Sequence, residues 1–311
     1  MRFGAFALQD AAGAILAHSV SLPGGRLRKG IRLEAPHIAR LQDAGHIEVV
    51  AALLEPGDIH EDAAATALGD ALLQTATGIR ASTAATGRVN LIARTPGVAI
   101  LDAAKIAMLN SVDPMISLAT VPPCHQIHAG GMLATVKIIS YAVSETDLNA
   151  ALKHAVGAIT LAQPTGLSAE LIVTQINEGA DESKGIAATA ARVEALGSKL
   201  SRTTLVPHST KALMKALEDS TADLVLILTG SATSDAHDVG PSALQSAGGK
   251  LTRFGMPVDP GNLLFLGQLQ GRSVLGLPGC ARAPALNGAD MVLSRLMCGL
   301  AVSSQDIANM G

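Results

Sequence analysis

The chain of 311 residues is 48% hydrophobic and 16% charged, yet it holds no Trp, one Tyr and four Phe, so its apolar mass is almost entirely aliphatic. So few rings cannot supply the stacking platforms of a single-stranded nucleic-acid site, the aromatic belt of a membrane interface or a cage for a methylated cation. With 23 Lys and Arg against 26 Asp and Glu, the net charge of −3 offers no basic field for nucleic acid.

The length suits two domains of ordinary size. Cys124, Cys280 and Cys298 lie far apart and form no C-x-x-C pair, which argues against a disulfide framework or a cysteine zinc site. Gln9 and Asp10 interrupt the apolar N-terminal stretch before a signal-peptide core forms, and no run reaches the roughly 18 apolar residues of a membrane span. The expectation is a soluble cytoplasmic protein with neither a membrane nor a nucleic-acid partner.

In the first sixty residues short β-like runs alternate with turns. Leu-Pro-Gly-Gly at 22–25 turns the chain, and the basic stretch Gly-Arg-Leu-Arg-Lys-Gly at 25–30 reads as a hairpin with a solvated outer face. Arg26, Arg28, Lys29 and Arg32 have an interface or anionic-ligand role as their second reading. A helix is predicted over 35–45, with Pro36 in its first turn and Gly45 as C-cap, and a strand over 47–53. Pro56-Gly57 leads into a helix running to about residue 75, where Glu61 and Asp62 suit the positive N-terminal end. A strand at 98–101, a helix at 103–110 capped by Asp102, strands at 116–121 and 132–141, and a helix at 145–156 capped by Ser144 follow. Together they describe a mixed α+β N-terminal domain over 1–165.

Gln-Pro-Thr-Gly at 163–166 is the linker candidate. Beyond it strand and helix alternate: strand 169–174, helix 184–196, strand 200–206, helix 209–218 and strand 224–228. The continuous run Leu-Val-Leu-Ile-Leu at 224–228 is what a strand buried on both faces requires. Residues 166–311 are therefore predicted to form a three-layer α/β/α domain around a mostly parallel sheet.

Ligands of open α/β sheets bind beyond the carboxyl ends of the strands. The densest polar loop of the chain, 229–241, follows the 224–228 strand directly. Gly230 lets backbone approach a ligand, Thr229, Ser231, Thr233 and Ser234 bring short hydroxyl donors, and a helix from 241 or 242 to 247 presents free N–H groups to an anion. This describes a phosphate site without a Walker lysine, and Asp235 and Asp238 add oxygen ligands for Mg²⁺. Asp238 reads equally well as the N-cap of that helix. Two further glycine loops touch the same sheet. One, 255–262, holds Pro260, Gly261 and Asn262 ahead of a strand at 263–266; the other, 276–284, holds Pro278, Gly279, Cys280 and Arg282 and opens into a helix after Pro284. Either Pro-Gly pair alone is only a turn.

Taken in order, Leu-Ile-Leu-Thr-Gly-Ser at 226–231 with Asp235 and Asp238, Pro-Val-Asp-Pro-Gly at 257–261 and Gly-Leu-Pro-Gly at 276–279 resemble the molybdopterin-binding domain, over about residues 168–300. That domain occurs in molybdopterin adenylyltransferases, in molybdopterin molybdenumtransferases and in stand-alone relatives encoded near molybdenum hydroxylases. The N-terminal half looks like the front half of the stand-alone relatives. The resemblance implies molybdopterin as ligand and a role in building or inserting molybdenum cofactor. It places Gly230, Ser231 and Ser234 on the pterin phosphate or an adenylate phosphate. Asp235 or Asp238 becomes the carboxylate that organises Mg²⁺ or molybdate, and Pro260-Gly261 and Pro278-Gly279 become backbone walls of the pocket.

The chain departs from the family at three points. Gly230-Ser231 stands where enzymes of the family have Gly-Gly, Asn262 follows Pro260-Gly261 where the molybdenumtransferases have Lys, and Cys280-Ala281 replaces Asn-Pro. The missing lysine removes a phosphate or molybdate contact, while Asn262 still hydrogen-bonds without charge. Cys280 reads either as a thiol whose pKa a helix N-terminus lowers, suited to dithiolene sulfur chemistry, or as a small buried hydrophobe. Arg282 reads as an anion clamp or as a surface residue. His125 and His128, three apart and without a third ligand, read as a surface loop.

Three functions are compatible with these residues. The first is adenylyl transfer to, or molybdate insertion into, molybdopterin, with Mg²⁺ and ATP or an adenylated pterin. The second is a non-catalytic carrier that holds the finished cofactor for a partner hydroxylase. The third is a nucleotide pyrophosphatase of the competence-damage type on the same fold. The resemblance also implies a homo-oligomer. With so few rings, recognition of a pterin falls to glycine-rich backbone, hydroxyls and helix ends.

Overall fold

The computed structural model describes residues 1–311, and they divide into two compact units. The first comprises Met1–Arg94, Ile100–Pro123 and Gly130–Leu161; the second comprises Thr95–Ala99, Cys124–Ala129 and Ala162–Gly311. No helix is long and apolar enough to cross a membrane.

Short antiparallel ladders build the first unit. Strand Glu48–Leu53 pairs with Arg2–Ala7 and with Ile15–Leu16, and Val20–Leu22 pairs with Gly25–Leu27 as the expected hairpin. Leu16, Leu22, Leu27, Leu33, Leu41 and Val49 turn inward as one core. Arg26 in that hairpin, opposite in phase to the buried Leu27, and Arg28, Lys29 and Arg32 beyond it are exposed. A second antiparallel sheet has the order Ile116–Thr120, Met132–Ile138, Arg88–Ala93, Ile79–Ala81. The predicted 132–141 strand stops at Ile138, and Ala142–Ser144 forms its own ladder with Asp58–His60. Helix caps fall where the side chains foretell them: Asp102 accepts from the Lys105 N–H at 3.0 Å and Ser144 from the Asp147 N–H at 3.0 Å.

The second unit is organised on one six-stranded sheet. Its order is Leu200–Pro207, Ala169–Gln175, Leu224–Leu228, Arg272–Leu277, Phe265–Leu269, Lys250–Phe254. The first four strands are parallel, and the last two pair antiparallel. The class is therefore α/β with a mostly parallel sheet, as the continuous apolar run at 224–228 requires. Helices Thr210–Glu218 and Val239–Ser246 cover one face through Leu213, Leu217 and Leu244, which pack on Ile172, Val225, Ile227 and Phe265. Leu228, one residue on from Ile227, points to the other face. There its Cδ2 lies 2.7 Å from where a Cβ of Gly185 would be, which places helix Ser183–Glu194 on that face.

Strand order decides where a ligand would sit. From Ala169–Gln175 the chain moves outward to Leu200–Pro207 and then returns to Leu224–Leu228 on the opposite side. The winding thus reverses between the carboxyl ends at 175 and 228, the topological switch point at which doubly wound sheets bind ligands.

Three boundaries near the predicted site differ from expectation. The helix after the 224–228 strand begins at Val239 rather than 241 or 242, because Asp238 caps it. Strand Arg272–Leu277 runs into a 3₁₀ turn, Gly279–Arg282, and the following helix starts only at Gly288, capped by Asn287. The strand placed at 263–266 is Phe265–Leu269.

Phe265 fills the space beneath Gly276 on the neighbouring strand. A Cβ on residue 276 would lie 1.9 Å from the Phe265 ring. Gly276→Ala is expected to destabilise the second unit by about 1–3 kcal/mol through overpacking, read as a lower urea midpoint; an unchanged midpoint would mean that the ring swings aside freely.

Candidate functional site

At the switch point two strand ends close on each other. Thr174 is fully buried, and its Oγ1 accepts the Gly230 N–H at 2.9 Å and hydrogen-bonds His208 Nδ1 at 2.7 Å. A Cβ on residue 230 would stand 2.6 Å from the Thr174 carbonyl oxygen. The close approach that Gly230 permits is thus between neighbouring strand ends. Without a glycine there the crevice would have to open.

The 229–238 loop is held by its own polar groups. Thr229 and Thr233 are buried; the Thr229 hydroxyl donates to the Ser231 carbonyl at 2.6 Å and lies 3.3 Å from the Thr233 hydroxyl. Ser231 and Ser234 are exposed. Both oxygens of Asp238 accept backbone N–H groups, Oδ1 from Val239 at 2.7 Å and Oδ2 from Ser234 at 3.0 Å. Asp235 Oδ1 accepts the His237 N–H at 2.8 Å. The N-cap reading of Asp238 is the one the geometry displays, and Asp235 braces the same turn. No group of three or more His, Cys, Asp or Glu side chains is placed to hold a metal ion.

The segment after Leu277 is tied to this loop by arginine. Arg282 pairs through Nη1 with the buried Glu182 carboxylate and donates through Nη2 to the Thr229 carbonyl at 2.9 Å. It therefore bridges the loops that follow three parallel strands. Behind it lies Arg192, 8% exposed. Its Nε donates to Asp290 at 2.8 Å, Nη1 to the carbonyls of Ala188 (3.1 Å) and Ala281 (2.9 Å), and Nη2 to those of Ala283 (2.8 Å) and Ala285 (2.9 Å). All five guanidinium N–H donors are used, so a turn with no regular ladder of its own is held rigidly.

Pro278 is buried, while Gly279 and Cys280 are exposed. Cys280 is thus not the buried hydrophobe of one reading, and the lowered pKa of the other is not found. A 3₁₀ turn, not an α-helix, follows Pro278 directly. What burial the sulfur has pushes its pKa up, with a hydrogen bond from its own backbone and the Arg192 charge opposing and Asp259 and Asp290 adding to the rise. Asp259 belongs to the 257–262 loop. In that loop the Asp259–Pro260 peptide is cis, the Pro260 carbonyl accepts the Gly288 N–H at 2.9 Å, and Asn262 is exposed. Pro260 and Gly261 thus seat the start of helix Gly288–Met297.

Thr174, His208, Glu182 and Arg192 were not legible as site residues. Arg192 alone carries a sequence signal: it is in phase with Gly185, Ala188 and Thr189, the small residues of the buried face of its helix. A charge on that stripe must find partners inside. A cleft of about 650 Å³ in the same unit, lined by Leu167, Lys250, Ser273 and Leu300 among others, lies near the amino ends of the parallel strands and contains none of the residues predicted for the site.

Residues 5–52 match a family model described as a domain of unknown function (DUF8806), which lies wholly in the first unit. No curated protein matches the chain. Among solved structures the chain is similar to the molybdopterin biosynthesis MoeA protein from Pyrococcus horikosii, at 14% identity and a TM-score of 0.35, over 96% of this chain and 75% of that one. A likeness at that score bears on neither the site nor the activity.

Replacing Arg192 tests the scaffold. Arg192→Met leaves the buried Asp290 charge and several carbonyls without a partner, and is expected to cost about 3–5 kcal/mol in urea unfolding. A loss below about 1 kcal/mol would show that water or a shifted loop satisfies those groups.

Proposed function

We propose that this chain binds molybdopterin and serves molybdenum-cofactor biosynthesis, holding the ligand at the carboxyl ends of Ala169–Gln175, Leu224–Leu228 and Arg272–Leu277. The observation that carries this reading is the Arg282 bridge, which brings the 229–238 loop and the 278–282 turn, two of the motifs resembling the molybdopterin-binding domain, to one side of the switch point. Ser231 and Ser234 offer exposed hydroxyls to the terminal phosphate, and Gly279, Cys280 and Asn262 lie on the exposed rim. Of the rings in the second unit, Phe265 is buried in the core and Phe254 lies on the far edge strand. The pterin is therefore held by its polar edge and phosphate, not by stacking.

Between transfer and carriage, the carboxylates favour carriage. Asp238 has both oxygens committed to its own loop, and Asp235 keeps one oxygen free. That donor set does not fit a resident Mg²⁺, which takes six oxygen ligands in near-octahedral array. A carrier delivers the cofactor to a partner hydroxylase without bond making. Adenylyl transfer or molybdate insertion is the second reading, and it needs Asp235 to act with groups of the substrate.

Fluorescence of oxidised pterin on untreated protein, and titration with molybdopterin, test the binding itself; absence of both overturns it. Asp235→Asn keeps the acceptor for the His237 N–H, and Asp238→Asn keeps only one of the two acceptors that serve Val239 and Ser234, so a carrier retains its affinity within about threefold in the Asp235 variant, a change below 1 kcal/mol. Affinity lost in both variants, or turnover of an adenylated pterin by the wild type alone, selects the transferase; hydrolysis of ADP-ribose selects the pyrophosphatase.

A further inference from the structure

The basic stretch at 25–32 has no part in the pterin reading, and one of its members lines a cleft of about 400 Å³ in the first unit. Ile15, Leu53 and Leu54 give this cleft an apolar floor, and Gly13, Arg32 and His60 bring polar groups to it. Arg32 is held in place by a bond from Nε to the Gly13 carbonyl at 3.2 Å. Its two Nη groups have no partner in the protein, and it joins no ion pair. A fork with two parallel N–H donors is thereby left free.

His60 adds a donor of fixed identity. It ends strand Asp58–His60 and caps helix Glu61–Leu73, with Nδ1 accepting the Asp62 N–H at 3.3 Å. In the neutral ring the proton then sits on Nε2, which has no protein partner. The neighbouring Glu61 carboxylate is turned away, 3.9 Å from Lys137 Nζ and against Gly87.

We propose that this cleft is a binding site for a small monocarboxylate with a short apolar body. The carboxylate takes the Arg32 fork and the His60 Nε2–H, and the aliphatic part lies over Ile15, Leu53 and Leu54. One guanidinium charge and three N–H donors match a singly charged group with two oxygens. A phosphate dianion would keep an oxygen and a charge uncompensated. The volume falls within the roughly 300–1,000 Å³ of ligand sites. The site belongs to the other unit and stands whether or not the chain binds a pterin.

Isothermal titration of the full chain with hexanoate, hexyl phosphate and hexylammonium tests it. Hexanoate is expected to bind saturably at one site, and Arg32→Gln to weaken it by about tenfold or more. Arg32→Lys, which keeps the charge but loses the fork, weakens it too, and provides a second variant should the first fold poorly. His60→Asn keeps an acceptor for the Asp62 N–H and lowers affinity less. The proposal is overturned if hexanoate does not saturate, if Arg32→Gln and Arg32→Lys bind it as the wild type does, or if hexyl phosphate or hexylammonium binds as tightly.

Discussion

One buried guanidinium sets the geometry of the carboxyl edge of the second unit. Arg192 sits on the inner face of helix Ser183–Glu194 and fixes the turn after the Arg272–Leu277 strand by donating to three of its carbonyls and to Asp290. A buried charge is tolerated only when fully paired, and here the pairing and the loop require each other. Asp290 in turn accepts the Asn287 N–H at 2.8 Å and so completes the capping box of helix Gly288–Met297. The same helix start receives the Pro260 carbonyl. Displacing the guanidinium would therefore release two loops and one helix terminus together.

From that anchor the constraint passes outward. The ordered turn aims Arg282 at Glu182 and at the Thr229 carbonyl, which couples the loop after Leu228 to the loop before helix Ser183–Glu194. The Thr174 hydroxyl and the absence of a side chain at Gly230 close the strands beneath. Polar groups that looked available in the sequence, the Thr229 and Thr233 hydroxyls and the Asp238 carboxylate, are used to make the loop rigid. What stays exposed is a narrower set: Ser231, Ser234, Asp235, Gly279, Cys280 and Asn262. Such a rim, held by a fixed second layer, is suited to binding a preformed ligand more than to moving protons.

The fold was readable where a single local force dominates. Leu-Val-Leu-Ile-Leu at 224–228 is apolar at every position, so it can only be buried on both faces. Ser144 and Asp102 cap helices because their oxygens reach an N–H three residues on. Reading failed where one residue type serves two ends. Asp238 offers the same carboxylate to a helix or a metal, and only the distances to Val239 and Ser234 decide. Cys280 stands at what reads as a strand-to-helix mouth, with the helix expected after Pro284, but the turn there is 3₁₀ and the α-helix begins at Gly288. Four of the five partners of Arg192 lie 89 to 98 residues away along the chain, beyond the reach of any local pattern.

Amide hydrogen exchange with and without molybdopterin tests most directly whether the ligand sits at this edge. The proposed site predicts slowed exchange at 229–238 and 278–283 on binding, with the amino-end cleft around 250–252 and 299–303 unaffected. Protection confined to that cleft, or to the first unit, would contradict it.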